Sequence, residues 1–316
     1  MGEARVRSVD LAPCSWDMLS LVRVSKRYAG RQKAAVEGVS INLSPGELVG
    51  LVGLNGAGKT TTLRVACGLS LPTRGTVEVD GLSMTRQKSL ASRRVGWVPE
   101  QPAHDPFGRV GSLVDYYCDV AGGVPTRRVQ TLLSEWGLTD HRRKRFRELS
   151  LGLKRRFSLV VAALTDPPYF LMDEPFNGLD PTASVQLRQW IVLARREGHG
   201  VLLSSHDLHQ VQHLADRIVV IHLGRTVATL NRSELPTSSS SVRQVVLDRV
   251  DTSALRLLET FGRVSVEGAA VTLRDSRAGA AEVNASLVQA GYRVQRLSTE
   301  GEALEEYFLK LVGNGT

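Results

Sequence analysis

Residues 48–61 have the sequence LVGLVGLNGAGKTT, in which an apolar run of strand length ends at Gly53 and a glycine-rich turn follows. A helical segment begins at Lys59, so the stretch predicts a strand, a loop and a helix with the spacing G-x-x-x-x-G-K-T. Gly53, Gly56 and Gly58 allow backbone angles that other residues avoid, which lets N–H groups close around phosphate oxygens. The positive end of the helix dipole points at the same anions. The stretch therefore predicts a phosphate-binding loop.

Side chains beside this loop suit a nucleotide with its metal ion. Lys59 adds a positive charge for the outer phosphates, and the Thr60 hydroxyl is a suitable Mg²⁺ ligand. Further along, the apolar run 169–172 predicts a buried strand that ends in Asp173 and Glu174. A carboxylate at the end of such a strand is placed to hold Mg²⁺, and a second one can deprotonate an attacking water.

The composition excludes several classes of protein. The chain has 316 residues, of which 42% are hydrophobic, so one large domain and a smaller one are expected. No apolar run approaches the roughly 18 to 20 residues that cross a bilayer, so we expect no transmembrane segment. Cys14, Cys67 and Cys118 lack metal-ligand spacing. These features indicate a cytosolic protein with reduced thiols and no structural metal.

The positive charge is concentrated in one segment. Forty basic residues against 32 acidic ones give a net charge of +8, and residues 141–156 hold eight basic residues against one acidic residue. Such a run suits nucleic acid, an anionic membrane surface or an anionic ligand such as ATP, and it is equally compatible with a solvated helix face. Phe146 is the single aromatic residue within the run, and so few interleaved aromatic residues disfavour single-stranded nucleic acid.

Strands alternate with helices up to about residue 235, which indicates a layered α/β domain. We expect an irregular arm over 1–18, the α/β domain over 19–235, a Ser-rich linker over 236–242 and a small α+β domain over 243–316. The last part has the predicted order β-α-β-β-α-β of a ferredoxin-like module, followed by a helix over 302–312.

Several motifs together resemble those of ATP-binding-cassette (ABC) ATPases, and they occur in the order found in that family. They are the LSLGLKRR sequence at 149–156, similar to the signature motif; EPFNGLDP at 174–181, similar to the acidic pair and D-loop; SSHD at 204–207, similar to the switch histidine; Tyr28, at the position of the adenine-stacking aromatic; and Glu100-Gln101, at the glutamine loop. The resemblance implies an ABC-type P-loop nucleotide-binding domain, with a RecA-like core and a helical subdomain.

The resemblance also implies how ATP and Mg²⁺ would be held. The phosphates would be bound by Gly53, Leu54, Asn55, Gly56, Ala57, Gly58, Lys59, Thr60 and Thr61. Mg²⁺ would be served by Thr60, Asp173 and Gln101. Glu174 would be the catalytic base, and His206 would contact the γ-phosphate beside Lys59.

The remaining matching residues would complete the nucleotide site. Tyr28 would stack on adenine, and Asp180 would lie near the nucleotide in the D-loop. Ser150 and Gly152 would close over ATP bound to another cassette. The signature departs from the family pattern at two positions, with Leu151 where Gly is commonest and Leu153 where Gln is commonest. These leucines make the surface of the signature more apolar.

The glutamine loop departs from the family pattern as well. Glu100 follows the proline where glutamine often stands, and Gln101 comes one residue later. The sequence leaves open which of the two faces Mg²⁺.

The family arrangement implies partners. One cassette with one signature cannot enclose ATP alone, so a second copy is expected in a head-to-tail pair. The segment 302–311 is similar to the closing helix of ATPase subunits of bacterial antibiotic and multidrug exporters. That similarity implies a polytopic membrane permease docking near 101–117, with this chain peripheral on the cytoplasmic face of the cell membrane.

Other kinds of ABC ATPase fit the same motifs. One alternative is a soluble non-transport ABC ATPase acting on nucleic acid or ribosomes, although no tandem cassette or long coiled-coil insert is visible and no specific nucleic acid is expected. Another is a regulatory ATPase. The sequence does not indicate what is transported.

Overall fold

The computed structural model describes residues 17–232, 242–268, 270–274 and 278–299. The chain divides into two compact units, Met1–Thr229 and Leu230–Thr316. The predicted arm, most of the predicted linker and the predicted final helix lie outside the described residues. The domain bounds given above therefore stay predictions.

The strands of the first unit are β1 (Leu19–Lys26), β2 (Val36–Leu43), β3 (Leu48–Val52), β4 (Arg74–Val79), β5 (Leu82–Ser83), β6 (Val95–Val98), β7 (Tyr169–Met172), β8 (Gly200–Ser205), β9 (Arg217–His222) and β10 (Arg225–Asn231), the last reaching into the second unit. The helices are α1 (Lys59–Ala66), α2 (Lys88–Ala91), α3 (Val110–Val120), α4 (Thr126–Glu135), α5 (Leu151–Ala163), α6 (Pro181–Arg196) and α7 (Leu208–Gln212). Among the described residues, none of the helices is long and apolar enough to cross a membrane.

A six-stranded sheet in the order β10-β9-β3-β8-β7-β6 carries the phosphate loop near its centre. Strand β3 pairs in parallel with β8 and β9, and β7 pairs in parallel with β8 and β6. Every residue of β3, β7 and β8 is buried, as continuous apolar runs predict for parallel strands covered on both faces. This is the RecA-like core that the resemblance implied.

A second sheet has the order β2-β1-β4-β5, and its strands pair antiparallel. Its apolar side chains join those of α1 and of the parallel sheet in one core cluster, including Leu21, Ile41, Leu63 and Leu171. The helices α3, α4 and α5 lie between β6 and β7 in the chain and form the predicted helical subdomain.

The second unit contains β11 (Val242–Leu247), α8 (Thr252–Glu259), β12 (Arg263–Glu267), β13 (Ala270–Arg274), α9 (Ala280–Gln289) and β14 (Val294–Thr299). The strands form an antiparallel sheet in the order β12-β13-β11-β14. This strand order, with the β-α-β-β-α-β sequence, is ferredoxin-like. Its core contains Val245, Leu258, Leu273 and Leu287.

The sequence prediction differs from the fold in four places. It missed α2, which has only four residues. It also missed β5, which has two residues, and β10, whose side chains are exposed or half-buried and so give no apolar signal. The sequence pattern over 207–215 predicts a helix of that length, whereas α7 ends at Gln212. Beyond α7, Ala215 and Asp216 enter β9, and the Asp216 backbone N–H donates to Leu48 O at 2.8 Å.

Candidate functional site

The carboxyl ends of the parallel strands gather the functional side chains at one edge of the sheet. The loop 53–58 follows β3, Asp173 and Glu174 follow β7, and His206 follows β8. Because β8 lies between β3 and β7, these three segments are neighbours in space although they are far apart in the chain. Open parallel sheets bind their ligands at this edge.

The backbone of the loop needs glycine for two separate reasons. Gly56 and Gly58 have φ values of 80° and 108°, in the left-handed region that other residues avoid. A Cβ at Gly53, in contrast, would lie 2.3 Å from Ile221 O. The loop can therefore adopt this path only with glycine at these positions.

Three ionisable side chains meet beyond the loop. Lys59 Nζ lies 3.2 Å from Glu174 Oε1, and it donates to Gly53 O at 2.7 Å and Leu54 O at 3.3 Å. His206 Nδ1 lies 2.9 Å from Glu174 Oε2. Lys59 and Glu174 are both buried. Of the three predicted catalytic residues, Lys59 and His206 thus each contact Glu174.

The two acidic residues are held differently. Asp173 accepts a hydrogen bond from Ser204 Oγ at 2.7 Å, and Ser204 Oγ accepts one from the Glu174 backbone N–H at 2.9 Å. Glu174 has a φ of 47°, which is uncommon for a residue with a side chain. This conformation turns the chain sharply directly after β7, and the Glu174 carboxylate reaches Lys59 and His206.

A cleft of about 700 Å³ opens at this edge of the sheet. It is lined by Tyr28, Arg31, Ala35, Asn55, Gly56, Ala57, Gly58, Lys59, Thr60, Thr61, Arg64, Glu100, Glu174, Asn177 and His206. The predicted aromatic residue, most of the loop and the two predicted catalytic partners of Lys59 therefore share one cleft.

The structure shows where Glu100 and Gln101 of the predicted glutamine loop lie. Glu100 is half-buried and lines the cleft, whereas Gln101 is exposed and is not among the described lining residues. The role predicted for Gln101 stays a prediction, and Glu100 is better placed to face the phosphates.

The predicted signature residues lie outside this cleft. Ser150 is exposed and caps α5, its Oγ accepting from Leu153 N at 3.3 Å. Gly152 is half-buried in the first turn of α5. Asp180 caps α6 by accepting from Ala183 N at 2.8 Å, and this bond together with Arg156 lowers the pKa of its carboxyl. In a single copy, these groups are not part of the cleft.

Three residues that contact the site were not predicted from the sequence. Asn177 lines the cleft and donates to Glu174 Oε2 at 3.5 Å. Ser204 bridges the two acidic residues, and Arg155 donates to Glu174 O at 3.1 Å. All three lie within the motifs EPFNGLDP, SSHD and LSLGLKRR, but their contacts depend on how strands and helices are packed.

The basic run 141–156 has largely internal contacts. Arg142 lies 3.8 Å from Asp115, Arg147 lies over the Phe107 ring, Lys154 lies over the Phe146 ring, Arg155 bonds Glu174, and Arg156 bonds Asp180. The concentration of charge is therefore explained in large part by the packing of the helical subdomain.

Comparisons with known proteins indicate the family to which the chain belongs. The family model described as "ABC transporter" matches residues 36–177. The bacitracin transport ATP-binding protein BcrA of Enterococcus faecalis is 30% identical over 301 residues, which cover 92% of this chain and 95% of that protein. The Nod factor export ATP-binding protein I of Paraburkholderia xenovorans (strain LB400) is 33% identical over 296 residues, with 92% and 95% coverage.

A solved structure has the same fold. A dimeric ATP-binding cassette bound to ADP and Pi matches with a TM-score of 0.63 and 24% identity, over 68% of this chain and 98% of that one. Its likeness confirms the cassette fold of the first unit. Since relatives at 30% identity or more match along nearly their whole length, the chain belongs to the ABC transporter family, as an ATP-binding subunit that hydrolyses ATP.

Proposed function

We propose that this ATPase belongs to an exporter and that two copies enclose ATP head to tail, each completing the other's site. One observation supports the proposal, namely that the predicted site residues fall into two separate groups. Lys59, Glu174 and His206 meet in one cleft, whereas Ser150 and Gly152 lie outside it. A second copy would bring its signature turn to the open side of the cleft. The transport proteins that match this chain along its length support export.

The nucleotide would enter with its adenine toward Tyr28 and its phosphates in the loop. Tyr28 lines the same cleft as the loop, and Lys26 Nζ lies 5.1 Å from the centre of its ring. The loop amides and Lys59 supply hydrogen-bond donors for the phosphate oxygens. Arg31 and Arg64 add positive charge to the lining.

The oxygen-rich donor set fits Mg²⁺, which prefers hydroxyl, carboxylate and water oxygens. Thr60 lines the cleft, Asp173 directly follows β7, and Glu100 offers a carboxylate in the lining. We propose that Thr60 and Asp173 hold the ion, with Glu100 or Gln101. The bound ion would neutralise charge on the phosphate oxygens.

Hydrolysis would use the contacts around Glu174. The Glu174 carboxylate would accept a proton from the attacking water while the water oxygen forms a bond to the γ-phosphorus. The bond between the γ-phosphorus and the leaving phosphate oxygen would break. His206, 2.9 Å from Glu174 Oε2, is placed to orient that carboxylate and to approach the γ-phosphate. Lys59 would remain with the phosphates throughout.

We further propose that a polytopic membrane permease docks on the segment 101–117, which would place this chain at the cytoplasmic face of the membrane. Two large apolar side chains of this segment are exposed, Phe107 at 63% and Tyr116 at 59%. Exposed apolar groups on a helical subdomain suit a protein partner. The cargo of such an exporter would be held by the permease.

The test replaces the proposed base. Glu174→Gln should bind ATP with little change in Kd and lose nearly all hydrolysis, because the amide cannot accept the proton. It should also accumulate as an ATP-bound dimer, measured by light scattering. Glu197→Gln, at an exposed carboxylate after α6, serves as the matched control. Parental turnover by Glu174→Gln would remove Glu174 from the mechanism.

A further inference from the structure

Arg155 is a buried arginine without an assigned role. It lies on α5, three residues after Gly152, and only 9% of it is exposed. Its Nη1 donates to Glu174 O at 3.1 Å, and its buried Nε has no hydrogen-bond partner among the described residues. Burial lowers the pKa of the guanidinium, while Glu100 and Glu174 oppose that shift. Burying an arginine is costly unless the position requires its reach and its fork of donors.

The contact falls on the main chain of the proposed base. The Glu174 carbonyl accepts from Arg155 and, at 3.2 Å, from the Asn177 backbone N–H. The Glu174 N–H is already bound by Ser204 Oγ. Since Glu174 has a φ of 47°, these bonds hold its backbone from both sides in a conformation that few residues adopt unaided.

The Arg155 guanidinium also packs against the turn 174–178. A Cβ on Gly178 would lie 3.4 Å from Arg155 Nε and 3.7 Å from its Cζ, so the backbone of this turn lies against the planar group. Gly178 has a φ of 69°. Arg155 therefore supports the turn 174–178 at its first residue and near its last.

We propose that Arg155 is a positioning residue that fixes the Glu174 main chain and ties the catalytic base to the start of α5. This inference rests on the proposed function, in which Glu174 is the base and the start of α5 contacts ATP of the other copy. A displacement of α5 would then move the Glu174 carbonyl of the same copy. Each copy would thereby link its own hydrolytic base to the signature turn that it lends.

The experiment compares two alternative substitutions of Arg155, each made in the full chain. Arg155→Met keeps much of the apolar volume and removes the donors, and Arg155→Lys keeps the charge but not the fork. Both should lower kcat on the order of 10- to 100-fold, because misplacing a reacting group by about 1 Å has effects of that size. The Kd for a non-hydrolysable ATP analogue should change less than about twofold, since Arg155 does not line the cleft. Arg127→Gln, at an exposed arginine of α4, is the control.

A double variant with Arg155→Met and Glu174→Gln distinguishes a positioning role of Arg155 from a general structural role. If Arg155 acts through Glu174, then Arg155→Met should slow single-turnover hydrolysis in the parental chain but not in Glu174→Gln. Equal slowing in both backgrounds, or parental kcat in both Arg155 variants, would overturn the inference. Loss of analogue binding along with kcat would overturn it too, because it indicates a general structural role. Parental turnover by Glu174→Gln alone would instead refute the proposed function.

Discussion

At the scale of single residues, Gly58 shows how closely the phosphate loop is packed. Its φ is 108°, and a Cβ there would lie 2.6 Å from Ala35 O and 3.3 Å from the Gly224 Cα. Gly56 has a φ of 80°, but a Cβ there would meet nothing within 4 Å. The same motif therefore contains one glycine that needs only backbone freedom and another that also needs space.

This contrast makes a prediction about two alanine substitutions. Gly56→Ala should cost about 1 to 2 kcal/mol in the free energy of unfolding, the ordinary penalty for a left-handed residue with a Cβ. Gly58→Ala should cost more and weaken ATP binding, because the backbone of Ala35 must shift. Urea unfolding and equilibrium binding of an ATP analogue measure both effects. Equal unfolding free energies for the two variants would contradict the packing argument.

At the scale of elements, His104 joins three parts of the helical subdomain. It lies in the segment after β6, its Nδ1 is 2.8 Å from the Tyr117 hydroxyl of α3, and its Nε2 is 3.0 Å from Ser158 Oγ of α5. Because Ser158 Oγ donates to Lys154 O, it accepts from Nε2–H, which leaves Nδ1 to accept from the tyrosine. This arrangement needs a neutral imidazole.

The neutral imidazole predicts a dependence of stability on pH. Burial lowers the pKa of His104 to about 4 from an ordinary value of 6.5. Between these values the histidine binds a proton in the unfolded chain but not in the folded chain. Its contribution to stability is therefore constant above pH 6.5 and falls as the pH drops toward 4. The loss from this residue should be on the order of 3 kcal/mol, at about 1.4 kcal/mol per pKa unit.

The measurement compares matched histidine variants. His104→Gln removes the titration and retains hydrogen-bonding groups, so its unfolding free energy should fall less between pH 7 and pH 4.5 than that of the parent. His213→Gln, at an exposed histidine, should follow the parent. If the His104 variant shows the parental pH dependence, the imidazole does not carry the effect.

These elements also show what the sequence could predict. Strands β3, β7 and β8 were predictable because parallel strands are apolar throughout, and the loop was predictable because its glycines and Lys59 have fixed spacing. The ferredoxin-like strand order also followed from the pattern. The contacts of Arg155 and His104 were not predictable, because each joins segments separated by up to 54 residues and depends on packing.

At the scale of the whole molecule, the described residues form two units with separate cores. The described cleft lies wholly in the first unit. In the proposed pair, groups from the first unit of another copy complete this cleft. The first unit of a second copy is needed, because its exposed Ser150 and half-buried Gly152 lie at the beginning of α5.

Mixing two inactive variants tests this composite site. Lys59→Ala removes the phosphate cation, and Gly152→Asp brings a negative charge toward the partner's ATP. A Cβ at Gly152 meets only Gly178 O, at 3.9 Å, so its own cassette should fold. In a mixed pair, the intact Lys59 of one copy faces the intact signature of the other, and one of the two sites is restored.

A one-to-one mixture should therefore recover up to roughly a quarter of the parental ATPase activity, since half of random pairs are mixed and each has one intact site of two. Neither variant alone should exceed background, and the recovered activity should fall more steeply than protein concentration on dilution, because it requires association. An inactive mixture in which mixed pairs are detected by light scattering and affinity tags would show that the cleft is not completed by a second copy.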